Sequence, residues 1–315
     1  METTIGARAA NGGVYTRMVL VQVFWAGTFV ASEIALHDQP PALTAVVRFI
    51  LTTAIYMAMC VMLRDLHAAP LSSRLTEIGR GAWLALAAMG FFGVALYTLL
   101  LHLGLAASTA AYAALLIPTT QPIFTAILGR LAFRDAITSA LVVGLALGLL
   151  GAGLVIFGGL SLRDDTVLTG NLVIVAAALS FSCYAIAAKF APSSLSATEN
   201  TTISFVFGTV FLLPMPVLMG EAIALGDATA SFWLSIAYLV VFATVLPYLW
   251  WNDAVRRIGS ARTGIFTFLM PPLAVILAAI MLGHTPTPQQ ILGGALALCG
   301  VALATFGWPG RARNP

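Results

Sequence analysis

Ten runs of predominantly apolar residues, each close to 20 residues long, follow one another along this 315-residue chain. A helix of about 20 apolar residues spans the hydrocarbon core of a bilayer. Because lipid offers no partner to backbone amides and carbonyls, each run must satisfy its own hydrogen bonds as a helix. The sequence therefore predicts an all-α membrane protein with ten transmembrane helices. We place the spans at Met18–Leu36, Ala42–Leu63, Trp83–Leu103, Ala107–Leu128, Ile137–Phe157, Leu168–Lys189, Thr202–Met219, Phe232–Trp251, Gly264–Leu282 and Gln290–Gly307.

The low share of charged residues excludes an ordinary soluble domain. Charged residues make up 9% of the chain and apolar residues 60%, whereas soluble domains carry about 25% charged residues. The net charge of +3 therefore does not indicate a nucleic-acid partner. Cys60, Cys183 and Cys299 each stand alone in apolar stretches without metal-ligand spacing, so we expect no metal and no cofactor. The N-terminal residues lack the pattern of a cleaved signal peptide, and we expect none.

Basic residues are distributed unevenly between the two sides of the predicted membrane. Ten spans place both termini on one side, and the loops on the cytoplasmic side of membrane proteins carry an excess of Lys and Arg. If the termini are cytoplasmic, thirteen basic residues lie inside and Arg163 alone lies outside. The sequence therefore predicts cytoplasmic termini and a cytoplasmic Arg64–Ala82 loop. The thirteen residues are Arg8, Arg17, Arg64, Arg74, Arg80, Arg130, Arg134, Lys189, Arg256, Arg257, Arg262, Arg311 and Arg313.

The chain contains an internal repeat. Pro122–Gly158 matches Pro271–Gly307 at a constant offset of 149 residues, and a looser match at an offset of 156 residues brings Trp25 onto Phe181 and Glu33 onto Lys189. We therefore divide the chain into residues 1–159 and 160–315, each with five spans. An odd number of spans makes the second half enter the membrane in the opposite sense. This predicts two inverted-topology repeats around a central cavity, an architecture suited to alternating-access transport.

Several short motifs resemble those of a known transporter family. The FWAG motif at Phe24–Gly27, the PALTAVVRF motif at Pro41–Phe49, the prolines of the fourth and ninth spans and the glycine-rich fifth and tenth spans resemble the EamA repeats of the drug/metabolite transporter superfamily. The resemblance covers nearly the whole chain and is strongest to the YddG group of bacterial amino-acid exporters. It implies a multi-pass protein of the bacterial inner membrane, a monomer or homodimer, that exports amino acids. Two positions depart from the family pattern: Glu33, where a basic residue is common, and His284, where an acidic residue is common.

Two ionisable residues, Glu33 and Arg48, lie within predicted spans. At a rise of about 1.5 Å per residue, both fall in the outer third of the bilayer. A charge at mid-span costs roughly 2.5–3.5 kcal/mol, so each residue requires an explanation. One interpretation is a charged rim or gate that attracts a zwitterionic solute, and the other is a structural ion pair or two snorkelling side chains. We predict that the two residues interact, because an isolated charge near hydrocarbon is costly.

Aromatic and amide side chains are predicted near the middle of the membrane. Trp25 lies close to the centre of the first span, and Gln121 lies in the fourth span. Small-molecule pockets are mostly apolar and aromatic, with a few placed polar groups. We therefore predict a substrate-binding cavity lined by Trp25, Gln121, Tyr97 and Tyr248. Packing between helices is the alternative role for the aromatic residues.

Pairs of prolines interrupt the fourth and ninth spans. A proline inside a helix lacks an amide donor and frees the carbonyl one turn earlier. We therefore predict helix kinks at Pro118, Pro122, Pro271 and Pro272. Freed carbonyls in the membrane are tolerated chiefly where they face protein or a water-filled cavity, which favours these helices as cavity walls.

The sequence leaves two other functions open. One is a proton-coupled multidrug exporter that uses Glu33 as its proton-carrying carboxylate, and the other is a lipid flippase. No HExxH, GxSxG or GxxxxGK[ST] motif is present. We therefore predict a transporter that is not an enzyme and does not itself hydrolyse ATP. Its expected partners are a small-molecule substrate and the lipid bilayer.

Overall fold

The chain folds as a bundle of helices. The structure, a computed structural model, describes residues 2–62, 71–133, 139–157, 165–258, 263 and 266–306. Within these ranges it contains no β-strand, and the predicted α-helical class is confirmed. The helices are α1 (Glu2–Leu36), α2 (Pro41–Met62), α3 (Leu71–Glu77), α4 (Arg80–Gly90), α5 (Tyr97–Ala107), α6 (Ala110–Phe133), α7 (Ser139–Phe157), α8 (Asp165–Ala187), α9 (Ala197–Leu212), α10 (Met215–Leu218), α11 (Ala230–Val240), α12 (Leu246–Ile258), α13 (Met270–Leu282) and α14 (Pro288–Phe306).

Seven helical segments are long and apolar enough to span a bilayer, counted over the described residues. Three shorter apolar helices, Val142–Val155, Met270–Leu282 and Pro288–Leu303, occupy the places predicted for the fifth, ninth and tenth spans. Each predicted span thus overlaps helical structure, and the count of ten spans stays a prediction because length and composition identify seven. The seven segments are Gly13–Leu36, Pro41–Met62, Arg80–Ala107, Ala110–Phe133, Asp165–Phe190, Ala197–Leu218 and Ala230–Trp251.

Several residues used to predict the orientation lie outside the described ranges, so the distribution of charge across the membrane stays a prediction. They are Arg64, Arg134, Arg163, Arg262, Arg311 and Arg313.

Two of the long spans contain a π-helical segment near their middle. Phe91–Leu96 joins α4 to α5, and Val241–Val245 joins α11 to α12. Moved by the 149-residue offset, the first segment falls on residues 240–245 and so coincides with the second. Within the second segment, the Thr244 hydroxyl donates to the carbonyl of Leu239, five residues earlier, at 2.8 Å. Such segments are rare and occur frequently at functional sites.

Helices α2 and α9 pack antiparallel through a reciprocal set of hydrogen bonds. The hydroxyls of Thr53 and Thr209 lie 2.8 Å apart. Thr53 also donates to the carbonyl of Phe205 and Thr209 to the carbonyl of Phe49, each at 3.3 Å. The phenyl rings of Phe49 and Phe205 meet edge to face at 5.6 Å. The 156-residue offset relates Thr53 to Thr209 and Phe49 to Phe205. Exchanging the two helices therefore turns each contact of this set into another contact of the same set.

Helices α7 and α14 approach each other closely along a line of glycines. A Cβ atom on Gly151 would lie 2.5 Å from the carbonyl oxygen of Gly293, and one on Gly300 would lie 2.5 Å from the carbonyl oxygen of Gly144. Small residues allow such contact between backbones in membranes. The 149-residue offset exchanges these two contacts, because it carries Gly144 onto Gly293 and Gly151 onto Gly300. Gly153, on the same helix, faces open space.

Candidate substrate cavity

A cavity of about 460 Å³ lies inside the bundle. The residues of its wall come from both halves of the sequence. Two of the three shorter helices, α13 and α14, contribute to it. The residues that line it are Trp25, Thr28, Phe29, Arg48, Phe49, Gly93, Tyr97, Thr98, Ile117, Pro118, Gln121, Pro122, Phe181, Tyr184, Thr201, Phe205, Ala243, Thr244, Tyr248, Trp251, Thr267, Met270, Leu298 and Val301.

Four side chains predicted to bind substrate come together at this cavity. Trp25, Tyr97, Gln121 and Tyr248 all line it, although they belong to four different spans. Their convergence follows from their similar depth in the membrane and from the faces that their helices turn inwards. Binding of a substrate by these residues stays a prediction.

The aromatic residues form a connected wall. The indole of Trp25 lies 5.2 Å from that of Trp251 and 6.3 Å from the ring of Tyr248. Tyr248 in turn contacts Phe205 at 6.0 Å, so the aromatic surface continues onto α9. Edge-to-face and tilted pairs of this kind contribute about 0.5–1.5 kcal/mol each beyond their buried area. These residues therefore hold one another in place as well as facing the cavity.

Gln121 presents its side chain from a helix whose backbone is well satisfied. The Gln121 carbonyl accepts hydrogen bonds from the hydroxyls of Ser182 and Thr125, each at 2.9 Å. Pro118 and Pro122 lie within α6 and line the cavity. Whether the two prolines kink α6 stays a prediction.

Pro271 and Pro272 are not kinks within a continuous helix, contrary to the prediction. They lie in the first turn of α13, directly after the short 3₁₀ segment Phe266–Leu269. Proline is tolerated there because the first amides of a helix have no partner within it. Neither residue lines the cavity, which the neighbouring Met270 does.

Arg48 lines the cavity rather than a charged rim. Its side chain is buried, with 6% of the residue exposed. Nη2 donates to the hydroxyl of Thr244 at 3.3 Å, and the guanidinium carbon lies 5.2 Å from the ring centre of Phe49. Nε and Nη1 have no hydrogen-bond partner among the described residues.

Glu33 has other interaction partners, and the predicted Glu33–Arg48 interaction is not formed. The Glu33 carboxylate accepts a hydrogen bond from the backbone amide of Ala110, at the start of α6. It also lies 3.5 Å from Nε2 of His284. A helix N-terminus offers free amides and a partial positive charge, and it therefore competes well for a nearby carboxylate.

Among the described lining residues, Arg48 carries the one formal charge. None of the lining residues is Asp or Glu. The described residues also contain no group of His, Cys, Asp and Glu side chains that would hold a metal ion. The interior therefore combines one cation with aromatic rings, an amide and several hydroxyls.

Sequence reasoning missed the two π-helical segments as part of the wall. Gly93 lies in the first segment and Ala243 and Thr244 lie in the second, and all three line the cavity. A π-helix leaves no recognisable pattern in a single apolar run. Gly93, a glycine within an apolar run, was the available signal in the sequence. In the structure, a Cβ at this position would lie 2.4 Å from the ring of Tyr184.

Comparison with known proteins identifies the family. Residues 14–157 and 168–306 match the EamA-like transporter family, one match in each half of the chain. The chain belongs to the EamA-like transporter family. Membership points to a multi-pass membrane protein that moves small molecules, rather than to an enzyme.

EamA-like relatives match this chain along nearly its whole length. A protein of Streptantibioticus cattleyicolor named "Probable terminal-alkyne amino-acid exporter" is 29% identical over 94% of this chain and 95% of its own. The "Probable amino-acid metabolite efflux pump" of Escherichia coli is 27% identical over 92% and 93% of the two chains. A crystal structure 20% identical to this chain has a TM-score of 0.61 and covers 94% of this chain and 97% of that one. The last similarity shows a shared fold alone.

Proposed function

We propose that this EamA-like protein is a secondary transporter that exports amino acids and related metabolites across the bacterial inner membrane by alternating access. The observation that carries the proposal is the cavity lined by Trp25, Tyr97, Gln121 and Tyr248. Its volume of about 460 Å³ falls within the usual range of small-molecule sites. The names of the two exporter relatives support an amino-acid substrate.

Alternating access requires two halves that exchange roles. Three sets of structural features support inverted repeats in residues 1–159 and 160–315. The first is the reciprocal pairing of Thr53 with Thr209 between antiparallel helices. A two-fold axis in the membrane plane, passing between the hydroxyls, accounts for it. Such an axis relates repeats of opposite topology.

The second and third sets lie elsewhere in the bundle. The π-helical segments occupy equivalent places in the third and eighth spans. The contact of Gly144 with Gly300 has its counterpart in that of Gly151 with Gly293, again between antiparallel helices. Together these contacts support ten spans in two five-helix halves.

The proton-coupled multidrug exporter is less well supported. Such a mechanism needs a carboxylate that faces the transport path and exchanges protons. Glu33 is instead occupied by the amide of Ala110 and by His284, and it does not line the cavity. Arg48 is the charged residue at the cavity, and a cation there disfavours cationic drugs.

Counterflow in proteoliposomes tests the proposal directly. Vesicles that contain only this protein and a high internal concentration of one amino acid should accumulate the labelled amino acid from outside. Leucine and phenylalanine are expected to work, because the wall is apolar and aromatic. Failure of all amino acids would refute the substrate class, and movement of labelled lipid between leaflets would favour a flippase.

Two cavity variants are expected to weaken transport by more than they reduce the amount of folded protein. Trp25→Ala removes the largest apolar surface, and Gln121→Ala removes an amide while keeping the backbone hydrogen bonds from Ser182 and Thr125. We expect each to raise the half-saturating concentration of phenylalanine by roughly tenfold, which corresponds to about 1.4 kcal/mol. The measurement is counterflow beside a thermal melt. An equal loss of transport and of folded protein would instead favour a packing role.

The proposed orientation is tested by cysteine labelling. Gly79 and Gly226 are exposed, and a Cβ at either position meets no atom within 4 Å. In a variant without Cys60, Cys183 and Cys299, an impermeant maleimide should label Gly226→Cys in intact cells. It should label Gly79→Cys after the cells are opened. The reverse pattern would place the termini outside.

A further inference from the structure

The guanidinium of Arg48 lies at the wall of the cavity and has hydrogen-bond donors without a partner among the described residues. The residue is 6% exposed, and Nε and Nη1 find no partner among the described residues. Nη2 alone is used, by the hydroxyl of Thr244 at 3.3 Å. The five N–H donors of arginine form a planar fork that matches a carboxylate.

A buried cation without an anion is costly to the fold. Arginine inside a membrane normally pairs with a carboxylate or with backbone carbonyls, and an unpaired one indicates a functional site. Asp38, the nearest acidic residue in the sequence on the N-terminal side, accepts from the amide and the hydroxyl of Thr229. Glu33, the next one, is engaged at the start of α6. No Asp or Glu lines the cavity in the described part of the chain. The described residues therefore leave the place of this anion to a transported molecule.

We infer that Arg48 is the anchor for a carboxylate of the transported molecule, so that the cavity selects carboxylic acids. This inference rests on the proposed function and names the group that the site recognises. The carboxylate accepts from free N–H groups along one edge of the Arg48 guanidinium, and the remainder of the substrate lies against Trp25, Tyr97 and Tyr248.

The surroundings hold Arg48 ready for such a ligand. The Thr244 hydroxyl directs its proton to the carbonyl of Leu239 and so turns a lone pair towards Nη2. This bond uses one of the two N–H groups of Nη2. The second N–H of Nη2, together with Nη1 on one edge or Nε on the other, stays free for the substrate. The π-helical segment that carries Thr244 thus has a definite role at the site.

The charge distribution also predicts which part of an amino acid is dispensable. An α-ammonium group has no carboxylate partner among the lining residues and meets aromatic faces instead, which attract cations weakly. Acids without the amine, and N-acylated amino acids, should therefore bind. Amines without the carboxylate should be rejected by the charge of Arg48.

A matched series of phenylalanine analogues tests this in proteoliposomes containing the full-length protein. The competitors of labelled phenylalanine counterflow are 3-phenylpropionate and N-acetylphenylalanine, which keep the carboxylate, and phenethylamine and phenylalaninamide, which lack it. Loss of hydrogen bonds to a charged group should weaken the last two by roughly 10- to 100-fold. A melt of the purified protein with 3-phenylpropionate gives a second readout that needs no transport.

Variants assign the effect to Arg48. Arg48→Gln should abolish the preference for acids over amines, and Arg48→Lys should keep part of it, because the charge remains without the fork. Arg48→Gln should also melt no lower than the wild type, since it removes an unpaired buried charge. Arg80→Gln, which changes an exposed arginine outside the cavity, should behave as the wild type.

Each outcome decides the inference. Equal competition by acids and amines in the wild type, or an unchanged preference in Arg48→Gln, would overturn it and leave amino-acid export standing if phenylalanine is still carried. If phenylalanine is not carried, but 3-phenylpropionate stabilises the wild type and not Arg48→Gln, the carboxylate site stands and the proposed substrate class fails. Absence of both effects refutes both.

Discussion

Replacing Gly151 with valine is expected to prevent assembly of α7 against α14. A Cβ at this position would lie 2.5 Å from both the amide nitrogen of Ala297 and the carbonyl oxygen of Gly293. Backbone atoms have no alternative rotamer, so the helices must separate. Overpacking of this kind costs roughly 3 kcal/mol or more, which corresponds to a fall of roughly 5–10 °C in melting temperature. We expect little monodisperse protein by size-exclusion chromatography and a lower melting temperature for what remains.

Gly153→Val is the matched control for this prediction. Gly153 lies two residues further along the same helix, and a Cβ there meets no atom within 4 Å. The control should change the free energy of unfolding by no more than about 0.5 kcal/mol. If both variants melt alike, the close approach of Gly151 to α14 is wrong.

Replacing Glu33 with alanine is expected to be the most damaging change of a single charged residue. The residue is 6% exposed, and its carboxylate accepts from the amide of Ala110 at the start of α6. Alanine leaves that amide unsatisfied and removes the anion beside the helix N-terminus. The combined cost is about 2–4 kcal/mol. A thermal melt of the purified protein measures it, and transport should fall in proportion to the folded fraction.

Two further variants identify the interactions behind this loss. Glu33→Gln keeps an oxygen that accepts from Ala110 but loses the charge near His284, so an intermediate melting temperature is expected. A double-mutant cycle should give a coupling energy of roughly 0.5–3 kcal/mol between Glu33 and His284. The coupling with Arg48 should be smaller. A larger coupling with Arg48 would restore the ion pair predicted from the sequence.

The sequence by itself determined the helical class and the places of the apolar helices, and it predicted the depth of the aromatic side chains in the membrane. These are local properties, because the length of an apolar run and the rise per residue decide where a helix lies in the bilayer. Trp25 and Gln121 line an interior cavity, and their binding of a substrate stays a prediction. The internal repeats at offsets of 149 and 156 residues were also detected from the sequence alone.

Only the tertiary structure decided which groups meet. Glu33 and Arg48 are close in sequence and similar in predicted depth, and this suggested an ion pair. The fold instead brings the start of α6 to Glu33 and Thr244 to Arg48, from residues 77 and 196 positions away. Hydrogen bonds act over about 3 Å, so a partner depends on the neighbouring helix and on the face that it presents. The predicted depth places a side chain along the membrane normal. Its position in the membrane plane, and so its partners, depend on how the helices pack.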